Sequence, residues 1–248
     1  MTEMTAAEAD DILTLRRQYY GLLTRLFLRE PEPEWLAALE EGLPERADAA
    51  RLLEPLLGEG WDAMGEFLGA HPFEDAGDDF TRVFLGPYRP EVAAYESHYL
   101  TGMLFKEPLI EVRGFMNEVG LEKNDENFPE PEDILAFELE IMSWLLGKEG
   151  EATGEEEAER WRGHQALFFK EHLQVWAPTC ARDLQEASSP FYKGVGLVLE
   201  GFLKLEARTY QNLGPDKVAT LEEARRKYSS RGTWRGNTFD PSGNPTQG

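Results

Sequence analysis

The clearest helical pattern in the chain is PEDILAFELEIMSWLLG, residues 131–147. It opens with a proline and two acids, which favour the first turn of a helix, and it closes on a glycine, which commonly follows a helix. Its apolar residues recur three or four positions apart, the spacing of one helical face. The residues on this face are Ile134, Leu135, Leu139, Met142, Leu145 and Leu146. The stretch therefore predicts a buried amphipathic helix.

The same spacing recurs along most of the chain, for example over residues 12–27 and about residues 189–212. No segment alternates apolar and polar residues as a half-buried strand does, and no Asn-Gly or Asp-Gly pair joins two β-branched runs. The sequence thus predicts an all-α protein. Residues 1–229 are predicted as one helical domain. Residues 230–248, rich in Gly, Pro, Asn, Ser and Thr, are predicted as a flexible C-terminal tail.

The charge balance is strongly acidic, with 47 Asp and Glu against 25 Lys and Arg and a formal net charge of −22 in 248 residues. Such a surface repels nucleic acids and anionic membranes, so neither is expected as a partner and no stable membrane insertion is expected. The first ten residues contain three acids and no basic cluster before an apolar run. They lack the pattern of an export signal, and the expected location is the cytoplasm.

Motifs that mark catalytic or metal sites are absent from the sequence. Cys180 is the only cysteine, which excludes an internal disulfide and a multi-cysteine metal site. None of the four histidines follows a glutamate by three residues, the spacing of di-iron bundles. Gly194 and Gly196 lack the third glycine of a dinucleotide fingerprint and fall within a predicted helix, where close packing explains them. The residues predict no catalytic group, no metal and no bound cofactor.

Four short blocks follow one another along the chain. They are Phe80-Thr-Arg-Val-Phe-Leu-Gly-Pro87, Tyr95-Glu-Ser-His-Tyr-Leu100, Pro131-Glu-Asp133 and His172-Leu-Gln-Val-Trp-Ala-Pro178. In this order and at these separations they resemble the TorD/DmsD/NarJ family of molybdoenzyme maturation chaperones, over most of residues 10–210. The resemblance implies a single-domain helical bundle of the TorD-like type with about nine to eleven helices.

The resemblance also implies a function. It implies a cytoplasmic chaperone, not an enzyme, that binds the N-terminal twin-arginine signal segment and the apo-form of a molybdopterin-containing oxidoreductase subunit, whose metal is molybdenum or tungsten. The chaperone would assist cofactor insertion and delay export until assembly is complete. Two alternatives stay open: a helical adaptor or structural subunit retained in an oxidoreductase complex, and an enzyme with a nucleotide or small-molecule site, for which the incomplete motif at Gly194 and Gly196 is the only sequence support.

A receptor for a peptide with two arginines and an apolar stretch needs carboxylates beside an apolar groove. The candidate client-binding residues within the matching blocks are Phe84, Gly86, Pro87, Tyr95, Glu96, Ser97, Tyr99, Pro131, Glu132 and Asp133. Among them Glu96, Glu132 and Asp133 supply charge. The competing interpretation is that Phe84 and Tyr99 are core residues and that the acids at 132 and 133 only complement the N-terminus of a helix.

Two further expectations concern recognition and assembly. The position after Asp133 is often histidine in relatives that bind signal peptides, and it is Ile134 here, which removes a hydrogen bond specific to some clients. The chain is expected as a monomer or as a helix-swapped dimer, with residues 87–91 or 122–131 as the hinge.

Overall fold

The computed structural model describes residues 6–124 and 128–231, and these residues form helices joined by short loops. The first seven helices are α1 (Ala6–Leu28), α2 (Pro33–Glu40), α3 (Leu43–Leu53), α4 (Pro55–Ala70), α5 (Glu74–Phe80), α6 (Glu96–Thr101) and α7 (Glu107–Val119). The others are α8 (Leu135–Gly150), α9 (Glu155–Phe168), α10 (Gln174–Glu186), α11 (Pro190–Thr209) and α12 (Leu221–Arg231).

Two π-helical turns lengthen these helices. The turn π1 (Thr81–Leu85) continues α5, and π2 (Phe169–Leu173) joins α9 to α10. Because α9, π2 and α10 form one uninterrupted helix, the described residues contain eleven continuous helices. The all-α prediction is confirmed, and the number of helices falls within the expected range.

The central helix α8 packs against α1 and α9, and α11 packs against α4 and α10. Glycines let α4 and α11 come unusually close, because a Cβ on Gly60 would lie 2.7 Å from the carbonyl oxygen of Gly194. Gly194 therefore has a packing role. Cys180 is buried in the same core, and burial raises the pKa of its thiol to about 12, so the thiolate nucleophile is absent at neutral pH.

The helix predicted from Pro131 begins later than expected, at Leu135, with Ile134 as its N-cap. Residues 131–133 stay outside the helix because the backbone carbonyl of Asp133 accepts a hydrogen bond from Glu96 N at 2.8 Å, and the Asp133 side chain also bonds α6. The acids at 132 and 133 therefore do not form the first turn of α8.

A proline commonly breaks or kinks a helix, and Pro178 does not break α10, which runs through it from Gln174 to Glu186. A proline cannot bond the carbonyl four residues earlier and its ring crowds that carbonyl. Here that carbonyl belongs to Gln174, the first residue after π2, where the helix is already widened.

The helix α12 extends the folded chain two residues past the predicted domain boundary at residue 229. The remainder of the predicted tail, residues 232–248, lies outside the described residues, and so do residues 125–127 of one predicted hinge.

Candidate functional site

A cleft of about 410 Å³ lies where the end of α1 meets π1 and the residues before α8. Its lining is mostly apolar. The apolar residues are Phe27, Leu28, Phe80, Phe84, Leu85, Val92, Ala94, Tyr95 and Ile134. Phe84 is held at the wall by ring contacts, with centroids 5.6 Å from Phe27 and 5.0 Å from Tyr192. Leu85, the last residue of π1, is 59% exposed and gives the cleft an open apolar edge.

Two carboxylates lie at this cleft. Glu30 accepts a hydrogen bond from Thr81 Oγ1 at 2.5 Å, and Glu130 accepts one from Tyr95 Oη at 3.0 Å. Burial, and then the charge of Glu130, raise the pKa of Tyr95, so its hydroxyl remains a donor. Neither carboxylate forms an ion pair with any residue the structure describes. Both remain available to a cation.

A third ionic group, Arg29, also lines the cleft and has the opposite sign. Its Nε lies 3.9 Å from a carboxylate oxygen of Glu32, and both side chains are largely exposed. The interaction free energy of such an exposed ion pair is small, so the pair holds Arg29 toward α2 only weakly.

The floor of the cleft is a backbone pairing between the residues that precede α6 and α8. Tyr95 and Ile134 form an isolated antiparallel β-bridge, and Leu135 N donates to Ala94 O at 2.9 Å. The second and third sequence blocks are therefore joined directly, although 35 residues separate Glu130 from Tyr95 along the chain.

Asp133 lies behind this floor and caps α6. Its Oδ2 accepts hydrogen bonds from Ser97 N at 3.0 Å and from Ser97 Oγ. Ser97 is in the first turn of α6, where amide donors lack partners within the helix. Asp133 and Ser97 are both buried, which gives them a role in packing.

Glu96 is also buried, and its Oε2 lies 2.9 Å from His172 Nδ1. Burial lowers the pKa of His172, but the charge and hydrogen bond of Glu96 outweigh it, so the net shift is upward. Glu138 Oε2 accepts from Trp176 Nε1 at 3.1 Å. Burial, followed by repulsion from Glu96, raises the pKa of Glu138 well above its usual range.

Tyr99 and Glu132 have internal partners as well. Tyr99 donates from Oη to Asp183 at 2.6 Å and packs against Trp176 with ring centroids 5.3 Å apart. Glu132 accepts a hydrogen bond from Arg113 Nε at 2.9 Å. Tyr99 is thus a core residue, as the competing interpretation proposed.

Gly86 begins the loop after π1 with a φ of 60°, and an added Cβ would overlap the carbonyl oxygen of Arg89. Only glycine fits this turn. The loop is anchored by Glu91, which accepts hydrogen bonds from Ser188 N at 2.8 Å and Ser188 Oγ at 2.6 Å. Pro87 lies on the exposed part of the loop.

Two of the ten predicted site residues, Phe84 and Tyr95, line the cleft, and the other eight lie outside its lining. The latter are Gly86, Pro87, Glu96, Ser97, Tyr99, Pro131, Glu132 and Asp133; a part for them in client binding stays a prediction. Sequence reasoning missed Phe27, Glu30 and Glu130. The only signal was that both acids directly precede a proline at the end of a segment.

Ile134, the position that departs from the family pattern, is itself part of the cleft lining. Its aliphatic side chain has no hydrogen-bonding group, so at this point the cleft is apolar.

No helix within the described residues combines the length and the apolar character needed to cross a bilayer.

About half of the chain is similar in sequence to known proteins. The sequence profile described as nitrate reductase delta subunit matches residues 51–182, more than half of the chain. The chaperone protein TorD of Aliivibrio fischeri (strain ATCC 700601 / ES114) is 30% identical over 133 residues, which cover 52% of this chain and 61% of that protein.

Two further relatives extend the comparison. TorD of Vibrio parahaemolyticus serotype O3:K6 (strain RIMD 2210633) is 30% identical over 132 residues, 52% of this chain and 61% of the relative. The perchlorate reductase assembly chaperone protein of Dechloromonas aromatica (strain RCB) is 31% identical over 107 residues, 41% and 47% of the two chains. Each match spans less than two thirds of the relative. Since the profile covers over half of this sequence, the chain belongs to the nitrate reductase delta subunit family, the NarJ/TorD family.

Proposed function

We propose that the protein is a cytoplasmic, non-catalytic chaperone that binds the N-terminal twin-arginine segment and the apo-form of a molybdopterin-containing oxidoreductase. It assists insertion of the cofactor and delays export until assembly is complete. Membership of the family and the names of the relatives, which include an assembly chaperone for perchlorate reductase, support this proposal.

The observation that carries the proposal is the cleft beside Tyr95. Its aromatic and aliphatic walls match the apolar stretch of a signal segment, and Glu30 and Glu130 match its arginines. A guanidinium forms two parallel hydrogen bonds with a carboxylate, which an ammonium cannot do. The cleft therefore favours arginine over lysine. The net charge of −22 accelerates the approach of a cationic peptide but does not select one.

Peptide binding tests the assignment of the cleft. The probe is a fluorescent 20-residue synthetic peptide with two arginines before an apolar stretch, titrated by anisotropy against the full chain. Replacing Glu30 and Glu130 together by Gln should weaken binding about tenfold, which corresponds to roughly 1.4 kcal/mol. A peptide with two lysines should bind less tightly to the wild-type protein.

The matched control replaces Glu156 and Glu159 of α9 by Gln, which changes the net charge equally at exposed positions away from the cleft. Affinity should change less than twofold. If both double variants weaken binding equally, attraction by overall charge explains the binding and the cleft is not the site.

The maturation role needs a separate experiment with the client. A molybdenum oxidoreductase whose gene neighbours this one is purified with and without its cofactor, and each form is tested for binding by calorimetry. The chaperone should bind the apo-form and not the loaded enzyme. Equal affinity for both forms would contradict the maturation role.

A structural subunit is the second candidate, because the matching family is described as a nitrate reductase delta subunit. Such a subunit would remain stoichiometric with the active, cofactor-loaded enzyme through purification. A chaperone is lost at that stage, so the subunit ratio in the active complex distinguishes the two functions.

A further inference from the structure

A groove of about 620 Å³ runs along α1, bordered by α2, α3 and the first turns of α4. Its lining shares no residue with the cleft. On α1 the lining positions run from Leu15 to Arg25, about 15 Å at 1.5 Å per residue. This length accommodates two to three turns of another helix.

The lining of the groove includes three small exposed residues, Gly21, Ala38 and Ala49. Apart from the adjoining residues of α1, no heavy atom of the described residues lies within 4 Å of the position that a Cβ on Gly21 would take. The rim is apolar, since Leu15 of α1 is 40% exposed and Leu53 at the end of α3 is 50% exposed. A backbone can approach these small residues closely while its side chains contact the two leucines.

The charged groups of the groove are arginines, although the protein is acidic overall. The guanidinium of Arg46 lies 5.3 Å from the centroid of the Trp61 ring, and that of Arg25 lies 4.5 Å from the Trp35 centroid. Arg25 pairs with Glu32, whereas Arg46 forms no ion pair with any residue in the described ranges. The groove therefore presents a fixed positive charge beside apolar surface.

We propose that this groove binds an amphipathic α-helix of a partner polypeptide, with an acidic residue beside the apolar stripe that pairs with Arg46. The stripe covers Leu15 and Leu53, and the small residues between them admit the helix backbone. A helix fits better than a small amphiphile, because the groove is open to solvent along its length, whereas small-molecule sites enclose most of their ligand. This surface is independent of the cleft and of the twin-arginine segment.

The test uses three synthetic 18-residue alanine-based helical peptides that share one leucine stripe. They differ at two positions beside the stripe, which carry Glu, Gln or Lys. Binding to the full chain is measured by fluorescence anisotropy at low salt. The Glu peptide should bind at least tenfold more tightly than the Lys peptide, against the preference that a net charge of −22 would impose.

Variants identify the groove as the location. Arg46→Glu should weaken binding of the Glu peptide at least tenfold and reverse the order of affinity of the three peptides. The matched control is Arg160→Glu, because Arg160 is also exposed and also lies over a tryptophan, 5.5 Å from the Trp161 centroid, outside the groove. Arg160→Glu should change affinity less than twofold.

The apolar rim is tested in the same way. Leu53→Asp should weaken binding of all three peptides at least fivefold. Leu52→Asp changes a neighbouring exposed position outside the lining and should not weaken binding. Circular dichroism and thermal unfolding verify that each variant is folded.

Four results would overturn the proposal: no binding of any peptide, a Lys peptide that binds as tightly as the Glu peptide, equal effects of Arg46→Glu and Arg160→Glu, or equal effects of the two leucine variants. Sedimentation velocity gives a fifth. Self-association that Leu53→Asp abolishes would make a second copy of the chain the occupant.

Discussion

His172 Nδ1 lies 2.9 Å from Glu96 Oε2, and both side chains are buried. This contact joins π2 to α6, two segments that 76 positions separate in the sequence. Two of the blocks that carry the family resemblance therefore meet at a buried contact inside the bundle.

Replacing His172 by Gln should destabilise the protein by about 3–5 kcal/mol at pH 6, because the variant leaves Glu96 buried without its cationic partner. The double variant with Glu96→Gln should recover much of this loss, since the charge is removed too. Urea unfolding measures the free energies. A double variant as unstable as the single one would show that the contact is not an ion pair.

The same pair predicts a pH dependence. The folded-state pKa of His172 is raised above its ordinary value of 6.5. Its contribution to stability is complete below pH 6.5 and is lost as the pH rises through the folded-state pKa. As the pH rises through this range, the urea concentration at the unfolding midpoint should therefore fall for the wild-type protein relative to the double variant. Parallel pH profiles for the two proteins would contradict this assignment.

Glu138→Gln should stabilise the protein at neutral pH. The amide keeps the acceptor for Trp176 Nε1 and removes a buried carboxylate whose pKa is raised by burial and by Glu96. A raised carboxylate pKa means that wild-type stability falls as the pH rises above 4.5 toward the folded-state value. The variant should be more stable than the wild-type protein at pH 8, and the gain should shrink at pH 4.5. Thermal unfolding at both pH values measures the difference.

Asp133→Asn should destabilise the protein by about 1–3 kcal/mol, because it weakens the cap on α6 that Asp133 makes through Ser97. Since Asp133 is buried behind the cleft floor, the folded variant should bind the twin-arginine peptide with unchanged affinity. A large loss of affinity without loss of stability would show that Asp133 takes part in peptide binding.

Gly86→Ala and Gly102→Ala form a matched pair. Both glycines have positive φ, 60° and 75°, but only at Gly86 does an added Cβ overlap backbone. Gly102→Ala should cost about 1 kcal/mol from its backbone conformation alone. Gly86→Ala should cost clearly more and weaken peptide binding, because the end of π1 must move. If urea unfolding gave equal losses of free energy for the two variants, the overlap at Gly86 would be relieved without further destabilisation.

Leu85→Ser and Phe84→Ala separate binding from stability at one wall of the cleft. Leu85 is 59% exposed, so its replacement should change stability by less than about 0.5 kcal/mol while lowering peptide affinity several-fold. Phe84 packs against three aromatic rings and its loss should cost about 2–4 kcal/mol. If the folded Leu85→Ser variant bound the peptide with unchanged affinity, π1 would not be part of the binding site.

Helical periodicity was sufficient to predict the all-α fold, since stripes such as the one on α8 determine which face is buried. It could not place the start of α8, because the hydrogen bonds that hold residues 131–133 come from α6. It also could not reveal that α10 continues through Pro178, which depends on the widened turn before it.

The site was predicted only in part for a related reason. Motif resemblance located the blocks around Tyr95 and Asp133, which the structure brings together, but it did not distinguish residues that line the cleft from residues behind it. Glu30 and Glu130 lie outside the blocks. They line the same cleft only because the fold brings the end of α1 close to the segment before α8. Long-range packing of this kind leaves no local pattern in a sequence.

The β-bridge between Tyr95 and Ile134 locks the beginnings of two helices to one point, whereas π1 opposite it leads into a loop fastened by Ser188 and Glu91. Backbone pairing thus fixes one side of the cleft, and side-chain hydrogen bonds between distant segments fix the loop on the other side, so both sides are held in place by tertiary contacts before any peptide arrives.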